Sequence, residues 1–282
     1  MIDTCWDLVA SHLAFPEAPH WHEQSLWFSD IFDGQVKRLE PDGDVAVVAT
    51  VPGRPSGLGW RPDGTLLVVS MTDRQLLSFD GTTWQLVADL SPVAGGDCND
   101  MIVDRSGLAY VGNFGYHPLA GERPRAARLA MVDLAGEVHE VAVDLRFPNG
   151  MAITPGGTTL LVAETRGNRV TAFTIEADGM LKDRRIYADL GDATPDGITL
   201  DAEGAVWIAS PGTREVLLVR EGGRVLQSVE APGGMAQACV LGGRDGCCLY
   251  VCCSPTHDAD RALSDRTGSI WSRLVDVPAA AV

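Results

Sequence analysis

The sequence predicts an all-β, six-bladed β-propeller with four-stranded antiparallel blades, and three observations carry that prediction. Long helical periodicity is scarce, and short β-rich runs such as "LLVVS", "LAYVGN", "TLLVAE" and "AVWIAS" recur behind glycine-containing turns. Aligned on those turns, "GWRPDGTLLVVS", "IVDRSGLAYVGN", "AITPGGTTLLVAE" and "TLDAEGAVWIAS" place Gly64, Gly107, Gly157 and Gly204 at separations of 43, 50 and 47 residues. That spacing is the period of a propeller blade, and six such units account for the 282 residues with little left over.

The first unit contains "HWHEQSLWFSD", with Ser25 at the turn position, and the last contains "VLGGRDGCCLYVCC", with one residue inserted before Gly246. Two further strands follow within most units, as in "RQLLSFDGTTWQLVADL" and "REVLLVREGGRVLQSVE". The last unit supplies two inner strands before a polar insertion, "SPTHDADRALSDRT". Its third strand is expected from "GSIWSRLVDV" and its fourth from "TCWDLVAS" near the N-terminus, so the N-terminal strand closes the ring. Residues 1–282 are therefore read as a single propeller domain.

The bulk composition excludes several partner classes. The formal charge is −16, from 38 acids against 22 bases, which disfavours binding to nucleic acid phosphates. No apolar run is long enough for a membrane-spanning helix, and the N-terminus lacks the basic and apolar regions of a signal peptide. Seven cysteines in a large, well-patterned chain read as reduced thiols, so a cytoplasmic protein is expected, as a monomer or homodimer.

The first strand of each blade lines the channel of a propeller, so equivalent repeat positions form a ring about its axis. Eight residues before each turn, allowing for the late insertion, stand Glu17, Ser56, Asn99, Asn149, Asp196 and Gln237. All six side chains carry oxygen. Each Asn-Gly or Asp-Gly taken singly is a common turn pair. Taken together at one offset, the six describe a hard-cation site, suited to Ca2+ or Mg2+, with coordination positions left for water and substrate. A cation there could polarise a carbonyl.

The segments "FPEAPHW", "CNDMIVD", "FPNGMAIT" and "PDGITLD" resemble, in order and spacing, the four signature segments of the senescence-marker-protein/gluconolactonase/regucalcin family. The resemblance covers nearly the whole chain and implies a six-bladed propeller with one divalent cation in the channel. It implies Glu17, Asn149 and Asp196 as protein ligands, with Asn99 beside the cation orienting substrate or water. The cation would be Ca2+ first, with Mg2+, Mn2+ or Zn2+ as alternatives. The activity implied is hydrolysis of a small-molecule lactone or ester by activated water, with Asp196 shuttling the proton.

Two positions depart from the family pattern. Ala18 stands where a glycine is usual, and Asp97 stands where sugar-lactone hydrolases often carry arginine. An acid at 97 would repel an anionic group, so a less polar lactone or ester is expected. A phosphotriesterase-like hydrolase and a non-catalytic metal- or ligand-binding propeller are the alternatives.

Other residues carry less. His20 in the first motif and His117 beyond "VGNFGY" are candidates for the pocket mouth, and Tyr116 with Phe114 for apolar walls, in a long loop over residues 115–128 expected to act as a lid. "CCLYVCC" reads as small buried hydrophobes, because neighbouring strand residues face opposite ways. Cys98 abuts Asn99 but has no evident histidine partner for nucleophilic catalysis.

Overall fold

Alternating apolar residues on short strands bury one face against the next sheet, and here six such sheets are arranged around an axis. The computed structural model describes residues 5–40, 43–117 and 121–280. Six four-stranded sheets are present, each pair of neighbouring strands antiparallel. The innermost strands are Pro16–His22, Pro55–Trp60, Cys98–Val103, Pro148–Ile153, Ile198–Leu200 and Met235–Gly242 for blades 1 to 6. They touch one another in ring order, with the strand of blade 6 returning to that of blade 1.

Blade 6 is built as its sequence predicts. Its strands Met235–Gly242, Cys248–Ser254 and Gly268–Leu274 are completed by the N-terminal strand Asp7–Leu13. The pairing runs Asp7 against Ser272 and Leu13 against Gly268. The polar insertion forms a short helix, Ala259–Asp265, capped by Asp258, whose side chain accepts from Arg261 N–H. Arg266 at its end pairs with Asp33 of blade 1 at 2.6 Å, a second tie across the closure.

The core is divided into one apolar cluster per blade interface, with a smaller seventh cluster, Phe15, Ile31 and Met71, beside the axial cavity. Leu161, Val170, Ile208 and Val219 fill the junction of blades 4 and 5, and Leu26, Phe28, Cys252 and Ile270 that of blades 6 and 1. The cysteines Cys252 and Cys253 are buried and free, and burial pushes the Cys253 thiol up to about 12, so they pack as small hydrophobes.

Two further features aim the inner strands. In blades 1, 2, 3, 4 and 6 the pairing of the first two strands slips at the axial residue: at Glu17–His20, Pro55–Leu58, Cys98–Met101, Pro148–Met151 and Ala236–Ala238. Such bulges bend a strand and re-aim a side chain. The second feature is a buried polar residue closing the second strand of every blade: Asp30, Ser70, Asn113, Glu164, Ser210 and Ser254.

In four blades that side chain accepts a backbone N–H two or three residues before the axial position. Phe15 donates to Asp30 at 2.7 Å, Gly53 to Ser70 at 3.1 Å, Arg146 to Glu164 at 2.7 Å and Thr194 to Ser210 at 3.0 Å. Each bond satisfies an otherwise buried amide and fixes where the inner strand begins.

Candidate functional site

Five of the six axial residues, Glu17, Asn99, Asn149, Asp196 and Gln237, line one cavity of about 600 Å³ at the end of the channel where the inner strands begin. Ser56 is buried behind them and donates from Oγ to Asn99 Oδ1 at 3.3 Å. Asn99 Nδ2 donates to Asn149 Oδ1 at 2.8 Å, and Asn149 Nδ2 donates to Thr165 Oγ1 at 3.1 Å. Thr165 in turn donates to the carbonyl of Pro195, next to Asp196. The amide of Asn149 is thereby held with its oxygen on the Asn99 side and its nitrogen on the Thr165 side.

Asn149-Gly150 is no hairpin turn. Asn149 lies within the strand Pro148–Ile153, and the hairpin follows at Thr154–Gly157, where Gly157 N–H donates to the Thr154 carbonyl. Gly150 serves close packing: a Cβ there would come within 2.5 Å of the Asp196 carbonyl oxygen. At the equivalent place in blade 1, Ala18 adopts a left-handed φ of 46°. Its N–H donates to the Glu17 carboxylate.

The electrostatics are those of uncompensated negative charge. Burial pushes the Glu17 carboxyl well above the usual range, and the nearby Asp196 and Asp100 charges push it further. Asp196 is raised by burial and by Asp100, and Asp100 is itself pushed up to about 7 by burial. No ion pair among the described residues supplies these three with a cationic side chain. Asp196 Oδ1 is buried without a hydrogen-bond partner among the described residues.

Buried carboxylates persist when paired or bound to metal. An orphaned carboxylate oxygen, a second carboxylate and amide oxygens, without sulfur or imidazole among them, fit a hard divalent cation.

The family model of the SMP-30/gluconolactonase/LRE-like region matches residues 15–254, which span the whole ring of axial residues. The chain belongs to the SMP-30/gluconolactonase/LRE-like family. Among its relatives, the 6-deoxy-6-sulfogluconolactonase of Pseudomonas putida is 26% identical, covering 100% of this chain and 98% of its own length. A pentonolactonase of Haloferax volcanii is 24% identical over 90% of this chain and 89% of its own. The crystal structure of a calcium-binding protein, regucalcin, from Agrobacterium tumefaciens superposes with a TM-score of 0.82 at 24% identity, covering 98% and 95% of the two chains.

In this SMP-30/gluconolactonase/LRE-like chain the remaining candidate residues fall in different places. Asp97 and Tyr116 line the axial cavity, and His117 Nδ1 lies 3.2 Å from Asp97 Oδ1. His20 lies elsewhere. It faces a second cavity at the opposite end of the channel, where burial and the neighbouring His22 lower its pKa to about 4. Residues 118–120 of the expected lid lie outside the described residues. Cys98 is buried, and burial pushes its thiol up to about 12, which removes it as a nucleophile near neutral pH.

The ring pattern alone did not find Asp100 or His257. Asp100 follows Asn99 at the offset occupied elsewhere by Ala18, Gly57, Gly150, Gly197 and Ala238, and a carboxylate among small residues was the available signal. His257 comes from the blade 6 insertion, lines the cavity, and has Nε2 3.2 Å from Gln237 Oε1. A trio of half-buried Asp133 and His139 with exposed Glu137 also brings possible ligand atoms together. It lies in a strand-connecting turn on another part of blade 3, where Asp133 Oδ1 accepts the Ala135 and Glu137 amides.

Proposed function

We propose that this protein hydrolyses lactones in the axial cavity, using one divalent cation held by Glu17, Asn149 and Asp196. The observation that carries the reading is the buried, unpartnered Oδ1 of Asp196, set among axial oxygens in a family whose members include named lactonases. Calcium suits such a set, because it accepts irregular oxygen coordination. The Agrobacterium tumefaciens neighbour is described as calcium-binding.

When bound, the cation supplies positive charge that polarises the lactone carbonyl and acidifies water. The chain's own residues do the rest. Asn99, fixed between Ser56 and Asn149, orients the water or the carbonyl group. Asp196 takes a proton from the attacking water and returns it to the ring oxygen as that C–O bond breaks. Ser56 is engaged by Asn99, and Cys98 is held as a neutral thiol, so water is the nucleophile. Phe15, Phe32, Phe114 and Phe147 wall the cavity and limit access of bulk water.

The test is a substrate panel of sugar lactones, alkyl lactones and paraoxon, run on wild type and Asp196→Asn with each of Ca2+, Mg2+, Mn2+ and Zn2+. Lactone opening by wild type that falls at least a hundredfold in Asp196→Asn is expected. Turnover of paraoxon alone would replace the reading with phosphotriester hydrolysis, and turnover of nothing would leave a binding protein.

A further inference from the structure

The axial cavity carries two positive charges that ring opening does not use. Arg54 stands just before the inner strand of blade 2, and Arg166 stands in the turn following Glu164 of blade 4; both line the cavity. Among the described residues neither guanidinium donates a hydrogen bond or pairs with a carboxylate. Arg169 and Arg184, by contrast, both pair with Glu164, close in sequence to Arg166.

Each of the two unpaired arginines rests on an aromatic ring. Arg54 lies 5.4 Å from the Phe32 ring centre and Arg166 5.4 Å from that of Tyr116. A guanidinium stacked on a ring is held in place while its N–H edge stays available for a bidentate oxyanion. Tyr116 adds an independent sign of a ligand. It is 2% exposed, it lines the cavity, and its hydroxyl is buried without a partner among the described residues. A buried O–H without an acceptor is costly unless a bound molecule supplies one.

Negative charge in the same cavity is placed differently. Asp97 faces His117, while Asp258 and Asp260 belong to the blade 6 insertion. The two arginines on blades 2 and 4 thus flank the Asp97–His117 pair of blade 3, and the other acids of the rim lie on the blade 6 insertion.

We propose that the substrate is a lactone bearing an anionic oxyacid substituent, a carboxylate, sulfonate or phosphate, which Arg166, Arg54 and the Tyr116 hydroxyl bind while the ring lies at the axis. The inference rests on the lactonase reading and departs from the less polar substrate expected from Asp97 alone. Arg54 and Arg166 come from the two blades that flank Asp97.

The experiment compares two matched lactones on the Ca2+-loaded protein, one with a carboxylate tail and one with a carboxamide of the same size. The proposal expects kcat/KM to favour the carboxylate by about tenfold or more, chiefly through KM. Arg166→Gln and Arg54→Gln should each shrink that ratio severalfold, Tyr116→Phe less, and added salt should shrink it in wild type. Thermal melting checks that each variant is folded, and Arg166→Lys should retain part of the preference. A ratio near one in wild type, or unchanged in both arginine variants, overturns the proposal.

A second arm uses an unreactive cyclic ether carrying the same two tails and measures binding by calorimetry. Arginine-dependent binding of the carboxylate ether without turnover of either lactone would uphold the anion site and remove the lactonase reading. Turnover of both lactones without charge preference would do the reverse. Equal binding of the two ethers together with no turnover would overturn both.

Discussion

Asn99 Nδ2 donates to Asn149 Oδ1 across 2.8 Å, joining two axial residues 50 positions apart in the chain. The bond fixes the orientation of the Asn149 amide, and under the proposed function it would make Asn99 a partner of the cation site as well as a substrate-facing residue. Asn149→Ala is expected to remove the ligand and abolish tight Ca2+ binding. Asn99→Ala should keep binding but weaken cation affinity or turnover by about 10–100-fold, the usual cost of losing an outer partner of a ligand. Calorimetric titration of both variants checks this; wild-type affinity and wild-type turnover in Asn99→Ala would contradict it.

The clustered carboxylates predict a pH dependence of stability in chelated protein. A carboxyl whose pKa is higher in the folded chain holds its proton more tightly there. Its contribution to stability is complete below the unfolded value, about 4, and is lost as pH rises through the folded value. Glu17 and Asp196 are raised, and Asp100 is raised to about 7. Melting of the chelated protein should therefore occur at a lower temperature at pH 8 than at pH 5. Added Ca2+ should raise the melting temperature far more at pH 8, where the carboxylates are ionised and free to bind it. A chelated protein that melts higher at pH 8 would contradict the assignment.

Ala18 carries a left-handed backbone at φ 46°, beside a proposed cation ligand. That conformation costs an L-residue about 1–2 kcal/mol, and glycine avoids the cost at some loss of chain entropy. Ala18→Gly should stabilise the protein by about 0.5–1 kcal/mol in urea unfolding. No gain, or a loss, would show that the site tolerates the conformation without strain.

Asp30 illustrates how the fold aims the site. It is wholly buried, accepts the N–H groups of Ala14 and Phe15, and pairs with buried Lys37 at 2.7 Å. Removing one member of a buried pair typically costs about 3–5 kcal/mol. Lys37 retains Asp33 at 2.7 Å, so Asp30→Ala should fall near the lower end, about 3 kcal/mol. The milder Asp30→Asn should unfold less readily while still weakening Ca2+ binding, because it displaces the start of the strand that carries Glu17. An Asp30→Ala protein as stable as wild type would remove this latch from the account.

Much of this architecture was legible from repetition. The turn glycines set the blades, the axial offset picked out the six axial residues, of which the family resemblance singles out Glu17, Asn149 and Asp196, and the polar insertion marked where blade 6 needed the N-terminal strand. Less visible were features that single positions do not announce. Asp100 sits at an offset filled elsewhere by glycine or alanine, and only its environment shows that it shares the axial charge.

His257 comes from an insertion outside the repeat, so no alignment of blades could place it. Arg54 and Arg166 lie in loops of two different blades, and their common cavity is a product of ring closure. His20 shows the opposite limit. Proximity to Glu17 in sequence suggested the pocket mouth, but three residues along a channel-lining strand carried it toward the other end. The latch residues Asp30, Ser70, Glu164 and Ser210 had a signal that the repeat contained, a polar residue ending each apolar second strand.

The central claim is that the axial oxygens hold a cation required for lactone opening. The most direct measurement is proton release during hydrolysis of the lactone that the substrate panel shows to be opened fastest, followed above the spontaneous rate on protein stripped by chelation and then titrated with Ca2+. The account predicts no enzymatic rate after stripping and full recovery as the single axial site fills, with no recovery in Asp196→Asn. A stripped protein that opens the lactone at the undiminished rate would contradict it.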